Sequence, residues 1–305
     1  WEKGNNPNNC AFTTDSKDGN ILYGFSNFNY FRLGNKENNY LMFKNSYYYP
    51  DTHILVPNKE KFVTKIKKII NNGGNWILKS KCSKFNKPEL VNSSNCDSVI
   101  SSLSENKYIV QKLETNLDLV NNKKYDFYAY VIFVRNRDCI TPILFNNFII
   151  NCAEEDYYAE KLTKNSMITN KNYNFTNVED TSINDFHSYL IDTLKDASSR
   201  VIDSINEINN LSNNSTEILV TRFNLLVNKN GKFKVLEFTS TPNLFENEYS
   251  KNFHKELIKN IFNEIINPLA KNNSIDTKSL INLKDENIDL PLPQNIINKN
   301  NNKDC

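Results

Sequence analysis

The stretch Ile218–Leu244, ILVTRFNLLVNKNGKFKVLEFTSTPNL, decides how the rest of the chain is read. Two apolar runs flank Asn230-Gly231, the dipeptide best suited to a tight turn with positive φ at both central residues, so the stretch predicts a β-hairpin. One carboxylate, Glu237, interrupts the second strand just ahead of a polar run that ends at Pro242. A charge in an otherwise apolar strand must face water or bind something, because burying it unpaired costs too much. The hairpin therefore carries a fold signal and a candidate ligand site together.

Outward from it, 305 residues suffice for one large domain or two small ones with a buried core. The 39% hydrophobic and 12% aromatic content excludes a disordered chain. Asn makes up roughly one residue in six, a compositional bias that empties the N-x-S/T matches at Asn92, Asn174, Asn213 and Asn214 of meaning. A net charge of +2 is too small to argue for nucleic acid. Lysines cluster at Lys59–Lys68 and Lys79–Lys87, which reads as a solvated helix face or as a site for an acidic partner. Cys10, Cys82, Cys96, Cys139, Cys152 and Cys305 form no C-x-x-C pair and have no His at ligand spacing, which argues against zinc and for free thiols in a reducing compartment. No apolar run reaches membrane-spanning length, and the first residues, WEKGNNPNNC, do not read as a signal peptide. The missing initiator Met points to a piece of something longer, and the expected location is cytoplasmic.

Periodicity places the elements. Residues 1–50 show little of it. Tyr47–Pro57 predicts a short strand between two prolines, and Asn58 can cap a helix with Phe62, Val63, Ile66, Ile69 and Ile70 on one face, stopped by Asn71–Gly74. Strands are predicted at Asn75–Lys79 and Lys107–Leu113, with a short helix at Asp97–Leu103 between them. Tyr125–Val134 is the strongest strand in the chain. Phe186, Leu190, Leu194, Ala197, Val201, Ile205 and Ile208 step at helical spacing, as do Phe253, Leu257, Ile261 and Ile265. From about Lys271 the chain reads as an Asn-rich tail or docking arm.

Alternation in the strongest strand puts Lys124, Asp126, Tyr128 and Tyr130 on one face and Tyr125, Phe127, Ala129 and Val131 on the other. A Lys and an Asp on one face of a mostly buried strand fit either a lined cleft or an ion pair near the strand's end. Tyr128, sharing a face with Asp126, is expected to project into that cleft.

Tyr108–Val134, YIVQKLETNLDLVNNKKYDFYAYVIFV, resembles the segment of the tubulin–tyrosine ligase family in which V-x-Q-K-Y-I is followed by K-x-D-x-R-x-Y-V. Pro50–Pro57 resembles that family's P-x-T-x-x-L-P segment, Trp76–Lys79 its W-I-x-K-P, Lys36 the Lys of T-R-K-x-x-L, and Ile168-Thr169-Asn170 its L-T-N. The hairpin resembles its D-x-L-x-D and E-x-N-x-x-P pair. The matches fall in family order over about residues 20–266. The resemblance implies an α+β ATP-grasp fold: a partial N-terminal segment (1–57), a central lid domain (58–118), a larger C-terminal domain of antiparallel sheet plus helices (119–270) and the tail (271–305).

It also implies roles. ATP phosphates would meet Lys36 and Lys79, and adenine would sit against Gln111 and Lys112. Lys124, Thr169 and Asn170 would complete the nucleotide site, Asp126 and Tyr128 would occupy the catalytic positions, and Asn224, Glu237 and Thr239 would hold magnesium. The implied reaction is ATP-dependent ligation of tyrosine, glutamate or glycine to a protein carboxylate through an acyl phosphate, with the acidic tails of tubulin as acceptor, and with no role for nucleic acid or membrane. The departures are systematic. Ser80–Leu90 lacks the family's glycines, Tyr128 and Asn151 stand where the family has arginines, and Asn224 and Thr239 replace the family's Asp and Asn. Tyrosine cannot grip an anion with two parallel bonds as arginine does. The alternative is a degenerate pseudoenzyme that keeps the fold and binds tubulin or another partner without turnover.

Overall fold

The computed structural model describes residues 11–13, 22–24, 33–57, 59–80, 88–103, 108–136, 139–169, 186–208, 216–242, 248–271, 275 and 280–284. Two antiparallel sheets with several helices make an α+β architecture. A short ribbon pairs β1 (Ala11–Thr13) with β2 (Leu22–Gly24). The smaller sheet contains β3 (Thr52–Leu55), β4 (Trp76–Ser80), β5 (Glu89–Val91) and β6 (Tyr108–Lys112) in the order β3-β6-β4-β5. The larger has β7 (Leu119–Val120), β8 (Lys123–Asn136), β9 (Cys139–Cys152), β10 (Thr216–Val227), β11 (Phe233–Thr239) and β12 (Leu280–Asn282). Its order is β11-β10-β8-β9-β12, with β7 paired to the start of β8.

The described helices are α1 (Lys36–Phe43), α2 (Glu60–Asn71), α3 (Cys96–Ser101), α4 (Lys164–Met167), α5 (Phe186–Ile208) and α6 (Glu248–Asn260). The last runs on through a π-helical stretch, Ile261–Ile266, into α7 (Asn267–Ala270). Asn58, the expected cap of α2, lies outside the described residues; Lys59 holds the capping position without a side-chain bond. Gly73 (φ 109°) and Gly74 (φ 90°) end that helix with conformations open to glycine, where the sequence places the stop.

Strand β8 is covered on both faces, and its alternation sorts two cores. Tyr125, Phe127, Ala129, Val131 and Phe133 pack with Leu190, Leu194, Ala197, Val201 and Ile205 of α5. Tyr128, Tyr130, Ile132 and Val134 pack instead with Phe253 and Leu257 of α6 and with Ile261 and Ile265 beyond it. Each such large side chain removed from water contributes about 2 kcal/mol, so these layers anchor the sheet. A third core joins Leu55, Trp76, Leu78 and Val110 of the small sheet to Ile66 and Ile70 of α2.

The hairpin forms, with a different turn. Of its two central residues only Gly231 has positive φ, at 74°. The Asn228 side-chain oxygen accepts from the N–H groups of Asn230 (3.0 Å) and Lys232 (3.1 Å), so a side chain organises the loop and one left-handed glycine closes it. The two-residue turn with both φ positive occurs elsewhere, at Asn121 (51°) and Asn122 (63°) between β7 and β8.

Two parts of the chain are ordered through long-range contacts. Of the two readings, tail or docking arm, residues 280–284 fit the arm: β12 pairs with β9, and Leu280 and Leu283 are buried. Within the N-terminal 50 residues, α1 is held by Asn39. Its amide nitrogen donates to the Phe238 carbonyl at 3.1 Å, and its side-chain oxygen accepts from the Phe238 N–H. A side chain thereby completes the bonding of a residue in edge strand β11. Asn39→Leu keeps the volume and strands both Phe238 groups, so it should lower unfolding free energy by about 2 kcal/mol. Urea denaturation with an unchanged midpoint would show the clamp contributes nothing.

Candidate functional site

Cross-strand pairing places Ile77 opposite Gln111 and Lys79 opposite Ile109, so these four share one face of the small sheet. The Lys79 ammonium donates to the Gln111 side-chain oxygen at 2.8 Å. Gln111 in turn donates to the Thr52 hydroxyl (3.2 Å), which donates to the Pro50 carbonyl (2.7 Å). This relay fixes both side chains. Beside it lies a cavity of about 10 Å³, room for about one water, lined by Lys36, Asn39, Tyr49, Lys79, Gln111 and Glu237. Four of the expected site residues thus converge from α1, β4, β6 and β11.

Their charges leave a mark on Lys79. Loss of water around its ammonium lowers its pKa to about 8, with Lys36 and Lys124 pushing the same way and the Glu237 and Asp126 carboxylates opposing. An ammonium held this way gains most from a further negative charge.

A second cavity of about 500 Å³ is lined mainly by apolar groups, among them Ile77, Leu90, Val99, Leu113, Met167 and Ile168. Strand β4 links the two: Ile77 lines the larger and Lys79 the smaller. One face of β4 thus contributes to both cavities, and the smaller one also meets Lys36 and Glu237.

On the large sheet, Asn224 stands opposite both Glu237 and Tyr128, Arg222 opposite both Thr239 and Tyr130, and Asp126 opposite Asn151. Near the end of β8, Lys124 donates to Asp126 at 2.6 Å, and the Thr169 hydroxyl donates to the other oxygen of the same carboxylate. All three are buried. The sequence left a lined cleft and an internal ion pair open for Lys124 and Asp126; the ion pair is what forms. Asn170 lies outside the described residues.

One expectation is corrected. Tyr128 does share a face with Asp126, yet it belongs to the second core, at 5% exposure, with the Arg222 guanidinium 4.2 Å from its ring centroid. Period-two reasoning finds the face but not what covers it. Lys112 is exposed, on the opposite face of β6 from Gln111, because successive residues of a strand point to opposite faces. The sequence reading also missed Asn39, Arg222 and the environment of Asn151. Arg222 was visible as a charge alternating with apolar residues in ILVTRFNLLV, the same signal that singled out Glu237.

Among the described residues no three His, Cys, Asp or Glu side chains cluster as a self-sufficient metal site. The Asn224 side-chain oxygen is nevertheless buried without a hydrogen-bond partner, directly across from Glu237. A hard cation suits such a pair of oxygens. Thr239 is less apt, since its cross-strand neighbour Arg222 carries positive charge.

No protein-family model matches this chain, and no curated protein sequence matches it.

Two outcomes follow from the geometry. Between pH 8 and 10.5 the unfolded chain holds a proton on Lys79 that the folded chain has released, so stability should rise with pH across that window. Comparing urea unfolding of wild type and Lys79→Met should show this rise in wild type only; parallel pH profiles would mean the ammonium is not desolvated. Tyr128→Arg should set a second guanidinium against Arg222 and cost about 3 kcal/mol or more. A variant of unchanged stability would mean the side chain has free access to water.

Proposed function

We propose that the chain is an ATP-grasp-type nucleotide-binding protein, with the base in the apolar cavity and the phosphates against Lys79 and Lys36. The observation that carries this reading is the continuity along β4, where Ile77 lines an apolar chamber of about 500 Å³ and Lys79 a charged one. A nucleoside polyphosphate has the same division between a planar apolar end and an anionic end. The larger cavity falls within the usual range for small-molecule sites, and the smaller, at about 10 Å³, must widen to admit phosphate.

Lys79 would neutralise phosphate oxygens at a point held in register by Gln111, and Lys36 would approach from α1. Glu237 and Asn224, with Thr239 as a weaker third, are the residues that would hold magnesium; when bound, the ion would supply charge neutralisation to the phosphates. The motif resemblance supports tubulin–tyrosine ligase-like chemistry, ATP-dependent addition of tyrosine, glutamate or glycine to a protein carboxylate such as an acidic tubulin tail. A cytoplasmic, cytoskeleton-associated setting goes with that acceptor. A second reading, partner binding without turnover, is favoured by one observation: Lys124, Asp126 and Thr169 satisfy one another rather than opening toward a ligand.

Calorimetric titration with ATP and magnesium, repeated with EDTA and with pyrophosphate, tests the nucleotide reading. Lys79→Ala should weaken ATP and pyrophosphate alike by roughly tenfold or more, the loss of a hydrogen bond to a charged group. Leu90→Trp, which fills the apolar cavity, should weaken ATP and spare pyrophosphate. Unaltered ATP binding in both variants would move the nucleotide elsewhere. Incorporation of labelled amino acid into tubulin then separates the two readings: ATP binding without incorporation favours the second.

A further inference from the structure

The lysines of α2 have no part in the nucleotide reading. Ile66 and Ile70 of that helix turn inward and pack on Leu55, Trp76, Leu78 and Val110 of the small sheet. Helical spacing then turns Lys61, Lys65 and Lys68 outward, and all three are exposed. Lys112 lengthens the row. It shares the face of β6 with Val110, the face that α2 covers, and a Cβ on Gly74, just past the helix end, would stand 3.5 Å from its Cε.

Packing does not account for this row, and electrostatics within the helix opposes it. Like charges three and four residues apart on a helix repel. Lys61 also stands in the first turn, beside Lys59 at the capping position, where the helix dipole disfavours positive charge. Glu60 is the one acid on α2, against four lysines. Nearby carboxylates are engaged elsewhere. Among the described residues Lys67 is the one α2 lysine in an ion pair, 2.7 Å from Asp97. Asp51, whose carbonyl accepts from the Lys112 N–H, turns its carboxylate to His53 at 3.1 Å.

We propose that the outer face of α2, lengthened by Lys112, is a docking site for an extended acidic polypeptide segment. Neighbouring lysines on the helix stand about 5–6 Å apart. Alternate side chains of an extended chain repeat at about 7 Å, a mismatch that flexible lysine stems absorb. Carboxylates at alternate positions therefore meet the row and relieve its repulsion. Other polyanions fit less well. Phe62, at 37% exposure, is the one exposed large apolar side chain of the helix, too little for insertion into lipid. A net charge of +2 gives the chain no broad positive field for nucleic acid. The row lies across the small sheet from Lys79 and Gln111, so docking there needs neither nucleotide nor turnover.

Fluorescence anisotropy of a labelled oligoglutamate peptide, titrated with the full chain, tests this. Binding should saturate and weaken as salt is added. Two variants of equal net charge separate the row from bulk charge. One combines Lys61→Gln, Lys65→Gln, Lys68→Gln and Lys112→Gln; the other combines Lys229→Gln, Lys232→Gln, Lys255→Gln and Lys259→Gln, exposed lysines elsewhere. Each exposed ion pair contributes little, but four lost together should weaken binding about tenfold or more in the first variant, and the second should bind like wild type. If the first variant loses its helical circular dichroism, Lys65→Gln with Lys68→Gln against Lys255→Gln with Lys259→Gln gives the same comparison. Equal losses in the two variants overturn the proposal, as does the absence of saturable binding in wild type. Tighter binding of phosphatidylserine vesicles or of oligothymidylate than of the peptide overturns it as well.

Discussion

A strand buried on both faces can hold a charge only where that charge finds a partner, and β8 imposes this constraint on the whole molecule. Helix α5 covers one side and α6 with its π-helical extension covers the other. Water is excluded from most of the strand's length, so its aromatic and β-branched residues are required there and its ionisable ones are confined. Lys124 and Asp126 stand near one end, where they pair with each other and with Thr169. The polar side chains of the neighbouring strands, Arg222, Asn224 and Glu237, share the sheet face of Asp126 and Tyr128. The site lies where the apolar cover gives out.

Convergence at the smaller cavity follows from how the two sheets are held. The Asn39 clamp fixes α1 against edge strand β11, which brings Lys36 beside Glu237. Tyr48 extends the same attachment, its carbonyl accepting from the Val235 N–H at 2.7 Å. From the other side the small sheet contributes Lys79, locked by Gln111. A lysine so placed is costly to keep charged, which is the physical meaning of its lowered pKa, and the same cost turns into affinity when an anion arrives.

Much of this was legible in the sequence, and the gaps have physical causes. Local patterns reported themselves: the two faces of β8, the helical spacing of α5 and the glycines that stop α2. Long-range bonds did not. Asn39 is one of many asparagines, and nothing local distinguishes the one that binds Phe238. The hairpin was anticipated but its turn was not, because Asn228 reaches the loop with its side chain. Leu280 and Leu283 sit in a polar segment and pack only because β9 offers an unpaired edge. Among the candidate site residues, Lys36, Lys79, Gln111 and Glu237 line one small cavity, and Gln111, expected against adenine, stands beside Lys79 instead of on the apolar cavity. Tyr128 does not enter a cleft, because it lies in the second core beneath Arg222.

Photolabelling with 8-azido-ATP bears most directly on the central claim, that the apolar cavity and the lysine-lined cavity form one nucleotide cleft. The azide sits on the base, so it reports the base's location independently of the phosphates. The account predicts a covalent adduct on peptides that contain Leu90, Val99 or Met167, suppressed by excess unlabelled ATP. Adducts confined to the exposed Tyr47 or Tyr158, or labelling that ATP does not compete, would contradict it.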